Sequence, residues 1–131
     1  MKKSVLFVCV HNAGRSQMAA ALLKELGGDG VEVRSAGSNP ATEVNPQAMA
    51  VLKEMDISIE SQSPTRLTNE DVMMSDYVIT MGCGDACPIY PGKKYLDWNL
   101  ADPAGKSIEE VRRIRDEIEL KVRELLKEIS S

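Results

Sequence analysis

Ser4-Val5-Leu6-Phe7-Val8-Cys9-Val10-His11-Asn12-Ala13-Gly14-Arg15-Ser16-Gln17-Met18 is the stretch whose reading decides the fold. Val5 to Val8 are β-formers and read as a short strand that delivers Cys9 to its carboxyl end, where α/β sheets bind ligands. Asn12, Ala13 and Gly14 are small or turn-prone, and helical periodicity begins near Ser16. A tight loop between such a strand and helix aims backbone N–H groups inward, at the positive end of the helix dipole. Val10, His11, Asn12, Ala13, Gly14, Arg15 and Ser16 are therefore expected to cradle a tetrahedral oxyanion, with the Arg15 guanidinium on the rim. The same field favours a thiolate at Cys9, and the Ser16 hydroxyl is placed to hydrogen-bond it. Alone, a cysteine at a strand end is more often a small buried hydrophobe. The joint pattern, with five residues between Cys9 and Arg15, instead places a nucleophile inside an anion site.

Outward from that loop, Met18, Leu22, Leu23 and Leu26 mark one face of a first helix, closed by Gly27-Gly28. Val31 to Ser35 alternates like a strand, and Ala36 to Pro40 reads as a loop. Asn45 as N-cap with Pro46 in the first turn opens a second helix that buries Ala48, Val51, Leu52 and Met55. Ile57 and Ile59 suggest a short extended piece, and Thr68 with Asp71 a capping pair for a brief helix. Tyr77 to Met81 is the clearest later strand, and 82–106 is loop-rich. Ser107 and Glu110 form a capping box for a long last helix, with Ile108, Val111, Ile114, Ile118, Val122, Leu125 and Ile129 as its core stripe. Strands alternating with helices imply βαβ units, hence a small parallel sheet covered on both sides. Right-handed crossovers bring the Cys9 loop and the loops after Ser35, Met81 and Leu96 to one edge.

The 131 residues fit one domain, 1–131, large enough to bury a core without disulfide staples. An apolar fraction of 43% and a charged fraction of 27% are ordinary for a soluble globular protein. A net charge of −4, without a basic stripe, argues against nucleic acid or an anionic membrane as partner. No apolar run approaches the roughly 20 residues that span a bilayer, and the first apolar run is too short for a signal peptide. The expected location is cytoplasmic, where three cysteines stay reduced unless catalysis oxidises them.

Cys83 and Cys87, in Cys83-Gly84-Asp85-Ala86-Cys87-Pro88, directly follow the Tyr77 strand. They read as inert structural residues, as half of a metal site with Cys9 and His11, or as redox partners of Cys9. A polar loop disfavours the first, and the spacing matches no common zinc pattern. The reading as redox partners is preferred, because it fits a reducing compartment and the convergence of loops. Asp102 is stiffened by Pro103, a useful property for a general acid, although Asp-Pro is also an ordinary turn dipeptide. His11 tunes or fills the loop and is not assigned a catalytic role; Tyr95 and Trp98 are expected to pack near the same edge. Asn12 is expected to brace the loop through a side-chain bond to Ser35.

Cys9-(five residues)-Arg15-Ser16 near one end and Asp102-Pro103 near the other resemble the low-molecular-weight tyrosine phosphatase fold. More narrowly, Asn12, Arg15 to Ala19, Ser35-Ala36-Gly37, Asn45-Pro46, Cys87-Pro88, Asp102 to Gly105 and Arg115 to Ile118 resemble the thioredoxin-coupled arsenate reductases of that fold. The resemblance implies a three-layer α/β sandwich around a four-stranded parallel sheet, and a reaction needing no cofactor. It implies that Cys9 attacks arsenate held by the loop and Arg15, that Asp102 protonates the departing oxygen, and that a second thiol releases arsenite by forming a disulfide. By position Cys83 would be the resolving thiol and Cys87 the terminal one, with Gly82 and Gly84 supplying the freedom to move.

Two departures stand out. Relatives space the last two cysteines more widely, whereas three residues separate Cys83 from Cys87 here. Some relatives instead use an external thiol such as mycothiol, with a mycoredoxin completing the reduction. Well-studied members also hold potassium with a carboxylate early in the first helix; the matching residue is Ala20, so this ion is expected to be absent or weakly held. The alternative activity is phosphotyrosine hydrolysis through a phosphocysteine, opposed by the lack of an aromatic in Pro103-Ala104-Gly105 and by two thiols it would not need. An arsenite or metal sensor using the thiols ranks third, since it leaves Arg15 and Asp102 without purpose.

Overall fold

The structure is a computed structural model that describes residues 3–60, 62–81 and 94–130. Cys83 and Cys87, with Gly82 and Gly84, lie outside the described residues. The elements run β1 (Lys3–Cys9), α1 (Arg15–Gly27), β2 (Val31–Gly37), α2 (Pro46–Lys53), α3 (Asn69–Met73), β3 (Tyr77–Thr80), β4 (Lys94–Asp97) and α4 (Ile108–Ser130). The four strands form one parallel sheet in the order β2-β1-β3-β4, so β1 is central and Cys9 ends a strand paired on both sides.

Alternation along β1 divides the core into two layers. Val5, Phe7 and Cys9 face a large cluster built from α1, α2 and α4, while Leu6 and Val8 pack with Ala36, Val72 and Val78 on the α3 side. The expected three-layer sandwich is present. On α4, Val111, Ile114, Ile118, Val122 and Leu125 are buried and Ile108 and Ile129 half-buried, so the stripe is core. Phe7 stacks obliquely on Trp98, with ring centroids 5.6 Å apart, tying the segment after β4 to the central strand.

Several local expectations need correction. β2 continues through Ala36 and Gly37, because parallel pairing with Val8 and Cys9 extends past the apparent loop start. Ile57 and Ile59 are buried but form no strand; they are anchored in an irregular segment by burial and by turn bonds, Ile57 N–H to Leu52 O and Gln62 N–H to Ile59 O. Leu26 lies 36% exposed, since α1 ends one residue later and turns out at Gly28, which has φ +56°. The segment taken as loop-rich holds β4, whose short half-buried strand carries little alternation to read. At Thr68 both halves of the capping box are present, whereas Ser107 accepts from the Glu110 N–H without a reciprocal bond to its own N–H among those observed.

α2, which presents Asn45 to the Cys9 side, is fixed to α4 by ions. Glu54 accepts from Arg112 and Arg115, and Arg115 also donates to the Val51 carbonyl. The hydrogen bond from Arg112 is the main cause that holds the Glu54 carboxyl below its ordinary value; burial pushes it up, and the Arg115 hydrogen bond and the charges of both arginines add to the lowering. A carboxyl lowered on folding adds stability above its unfolded value and loses it as pH falls through the folded one. Glu54→Gln should therefore lower the melting temperature at neutral pH, with the gap to the parent closing in acid. Thermal melts across pH check this; a constant gap would remove the ionic contribution.

Candidate active site

The loop from Cys9 to Arg15 is shaped by where its carbonyls go. Cys9 O accepts from Ser38 N–H, Val10 O from Asn39, His11 O from Ala41 and Ala13 O from Asn45, at 2.7–3.2 Å. These carbonyls are thus drawn toward the segment after β2. Because a trans peptide sets each C=O against the next N–H, the following amides turn the other way, into the loop. The Asn12 N–H meets Cys9 Sγ at 3.1 Å. Asn12 itself has φ +50°, a left-handed turn that asparagine tolerates better than most residues. Gly37 permits the close approach of β2, since a Cβ there would lie 2.6 Å from Val10 O.

Hydrogen-bond direction can be followed from unambiguous donors. Asn12 Oδ1 accepts from the Thr65 backbone N–H at 2.8 Å, so Nδ2 is the atom facing Ser16, and it donates to Ser16 Oγ at 2.7 Å. Ser16 is fully buried, and its hydroxyl hydrogen is left for Cys9 Sγ, 2.8 Å away. The sulfur therefore accepts from Ser16 Oγ–H and Asn12 N–H, an arrangement that suits an anion. The expected Ser16 contact is present; the expected Asn12 bond to Ser35 is not. Ser35 pairs with Phe7, two residues before the loop, and the Asn12 carboxamide reaches Ser16, Gln17 and Thr65 instead.

Cys9 sits at the foot of a pocket of about 250 Å³ lined by His11, Ala13, Gly14, Arg15, Ala41, Asn45, Asp102, Pro103 and Ala104. Arg15, at the start of α1, donates to Leu100 O at 3.2 Å and lies 3.8 Å from Asp102 Oδ2. Asp102 Oδ1 accepts from Ala104 N–H at 3.0 Å, an Asx turn that holds the half-exposed carboxylate over the pocket. Pro103 is buried against Gly14, where any Cβ would fall 2.5 Å from its ring. His11 is exposed and its Nδ1 lies 3.2 Å from Asn39 O, so that nitrogen carries the hydrogen. Cys9, Arg15 and the sequence-distant Asp102 thus line one pocket with His11, Ala13 and Gly14, while the Asn12 and Ser16 side chains lie behind the sulfur. Val10 adjoins them, its carbonyl held by Asn39 N–H.

The residues at the potassium position do not fit an ion. Ala20 carries no oxygen in its side chain to hold one. Gln17 escaped the sequence reading because a glutamine in a helix's first turn looks like a solvated side chain; it is 3% exposed.

The profile of the family described as low molecular weight phosphotyrosine protein phosphatase matches residues 4–131. The chain belongs to that family. Within this phosphatase family it is 42% identical over 125 residues to an arsenate reductase of Staphylococcus aureus, covering 92% of this chain and 94% of that protein. Its fold matches the thioredoxin-dependent arsenate reductase Cg_ArsC1' of Corynebacterium glutamicum at 50% identity and a TM-score of 0.86, over 98% of this chain and 62% of that one. It also matches the YwlE arginine phosphatase of Geobacillus stearothermophilus at 32% identity and a TM-score of 0.84, over 98% and 93%. The low-molecular-weight phosphatase fold therefore carries both chemistries among these neighbours.

The close contact between Gly14 and Pro103 gives a direct test of the site's geometry. Gly14→Ala should cost about 1–3 kcal/mol by overpacking and displace the Asp102 segment. Chemical denaturation reads the first effect, and a slower oxyanion reaction at an intact Cys9 reads the second.

Proposed function

We propose that this chain reduces arsenate to arsenite. The observation that carries the proposal is the Cys9 sulfur, held by Ser16 and Asn12 donors beneath a pocket that carries Arg15 and Asp102. The high identity to proteins named arsenate reductase supports that substrate over an ester.

Arsenate binds the inward amides of residues 10–16, and the Arg15 guanidinium turns from Asp102 to the oxyanion. Cys9 thiolate attacks arsenic, forming an S–As bond, and one oxygen departs as water with a proton from Asp102. A second thiol then attacks Cys9 Sγ. The S–As bond breaks with its electron pair going to arsenic, so As(V) leaves as arsenite and the two sulfurs are oxidised to a disulfide. Cys83 is assigned this attack and Cys87 the next exchange, which frees Cys9 and leaves a Cys83–Cys87 disulfide for thioredoxin. In the other branch mycothiol attacks the adduct and a mycoredoxin completes the reduction. Either route suits a reducing, cytoplasmic setting; no helix among the described residues is long and apolar enough to cross a membrane. The unit performing it is the single domain 1–131.

Phosphate-ester hydrolysis is the second reading, favoured by the family and by the arginine phosphatase likeness. Ala13, Ala41 and Ala104 form part of the pocket wall, and no Phe, Tyr or Trp among the described residues lines it to sandwich a phenol. That wall suits a small inorganic oxyanion.

Cys9→Ser should abolish arsenite formation, and turnover by that variant would remove the nucleophile. Replacing Cys83 or Cys87 should block repeated turnover with thioredoxin; full activity of both variants with mycothiol and mycoredoxin would select the external-thiol branch. Asp102→Ala should slow adduct formation by about 10²-fold with oxyanion affinity nearly intact, measured by single-turnover kinetics and equilibrium binding. An unchanged rate would deny Asp102 its role as acid.

A further inference from the structure

Gln17 is buried in the first turn of α1, and its Nε2 donates toward three oxygens: Asn12 O at 3.1 Å, Asn12 Oδ1 at 3.2 Å and Ser63 O at 3.3 Å. Three converging acceptors fix the amide's orientation, because a flipped carboxamide would set oxygen against oxygen. Two of the three belong to Asn12, the residue whose backbone N–H and, through Ser16, whose side chain both act on Cys9 Sγ. The third, Ser63, lies on the segment that also gives Thr65 N–H to Asn12 and pairs with Gly37 at the end of β2. Gln17 thus joins this outer segment to the Cys9 loop from behind, on the side away from the oxyanion pocket.

We infer that Gln17 is a positioning residue for the Cys9 thiolate, acting through Asn12 and Ser16 without touching substrate. With the Gln17 donor in place, Asn12 Oδ1 is held by two N–H groups, and its Nδ2 is committed to Ser16. Ser16 must then donate to sulfur. Without that donor, the left-handed turn at Asn12 loses a bond to its carbonyl, and the carboxamide is held by Thr65 alone. Thr65 N–H still sets the direction of the Asn12–Ser16–Cys9 chain, but the Asn12 N–H and carboxamide are held less firmly against Cys9 Sγ and Ser16 Oγ, and the thiolate loses part of its support.

The inference rests on the reading of Cys9 as a nucleophilic thiolate, and its test is independent of arsenate. In Gln17→Leu, alkylation of Cys9 by iodoacetamide at neutral pH should slow about tenfold, the order expected for one hydrogen bond to a charged group. The ultraviolet thiolate absorbance at that pH should fall with it. To isolate Cys9, both measurements use a background in which Cys83 and Cys87 are serine. Added to Ser16→Ala, the same substitution should have a smaller effect on alkylation than it has alone, since the route through Ser16 is shared. An unchanged rate and absorbance in Gln17→Leu would overturn the inference, as would full additivity with Ser16→Ala. Should Gln17→Leu fail to fold, Gln17→Met keeps the length and is read the same way. Slow alkylation of the Cys83→Ser, Cys87→Ser protein with Gln17 present would instead refute the thiolate reading of Cys9.

Discussion

The site depends on one constraint: the carbonyls of the Cys9 loop are already occupied. Four of them are taken by N–H groups of residues 38–45, so the amides between them face the other way. A loop free to rotate its peptides would present a mixture of donors and acceptors to an anion and gain little from either. Held by the segment that follows β2, it offers donors to the sulfur and to whatever lies above. The pairing of β2 with β1 up to Cys9 and Gly37 is therefore part of the site, and glycine at 37 is what lets the two backbones meet.

A second layer of order comes from polar side chains in an otherwise apolar interior. Asn12, Ser16 and Gln17 are each at most 3% exposed, yet each has partners, and no described buried side-chain N or O atom lacks one. A satisfied network of this kind costs little in stability and specifies a single arrangement. Its direction is anchored by the Thr65 backbone N–H, which cannot act as an acceptor, and it ends on sulfur. Arg15 and Asp102 are placed differently. They line the pocket 3.8 Å apart, Arg15 largely buried and Asp102 half-exposed.

Under the proposed mechanism, the same pocket would serve reduction or hydrolysis up to the covalent adduct. What separates the reactions is whether a thiol or water meets that adduct, and whether the wall accommodates an ester's leaving group. The small alanines around the mouth and the presence of Cys83 and Cys87 in the chain both incline it to arsenate. The arginine phosphatase among its structural neighbours shows that the scaffold alone does not choose.

The sequence by itself determined the strand–loop–helix that carries Cys9 and Arg15, the parallel α/β class and the long amphipathic α4. Each of these follows from local chemistry: β-branched runs, turn residues, caps and a 3.6-residue period. Ala36 and Gly37 were legible only as a loop, because their strand character comes from the neighbour they pair with. Asn12 was recognised as a brace but given the wrong partner, and Gln17 passed as an ordinary helix residue. Only the tertiary structure decided that Thr65 and Ser63, some fifty residues away, would supply the donor and acceptor that orient them. Hydrogen-bond direction depends on which atoms meet in space, and no periodicity along the chain encodes that.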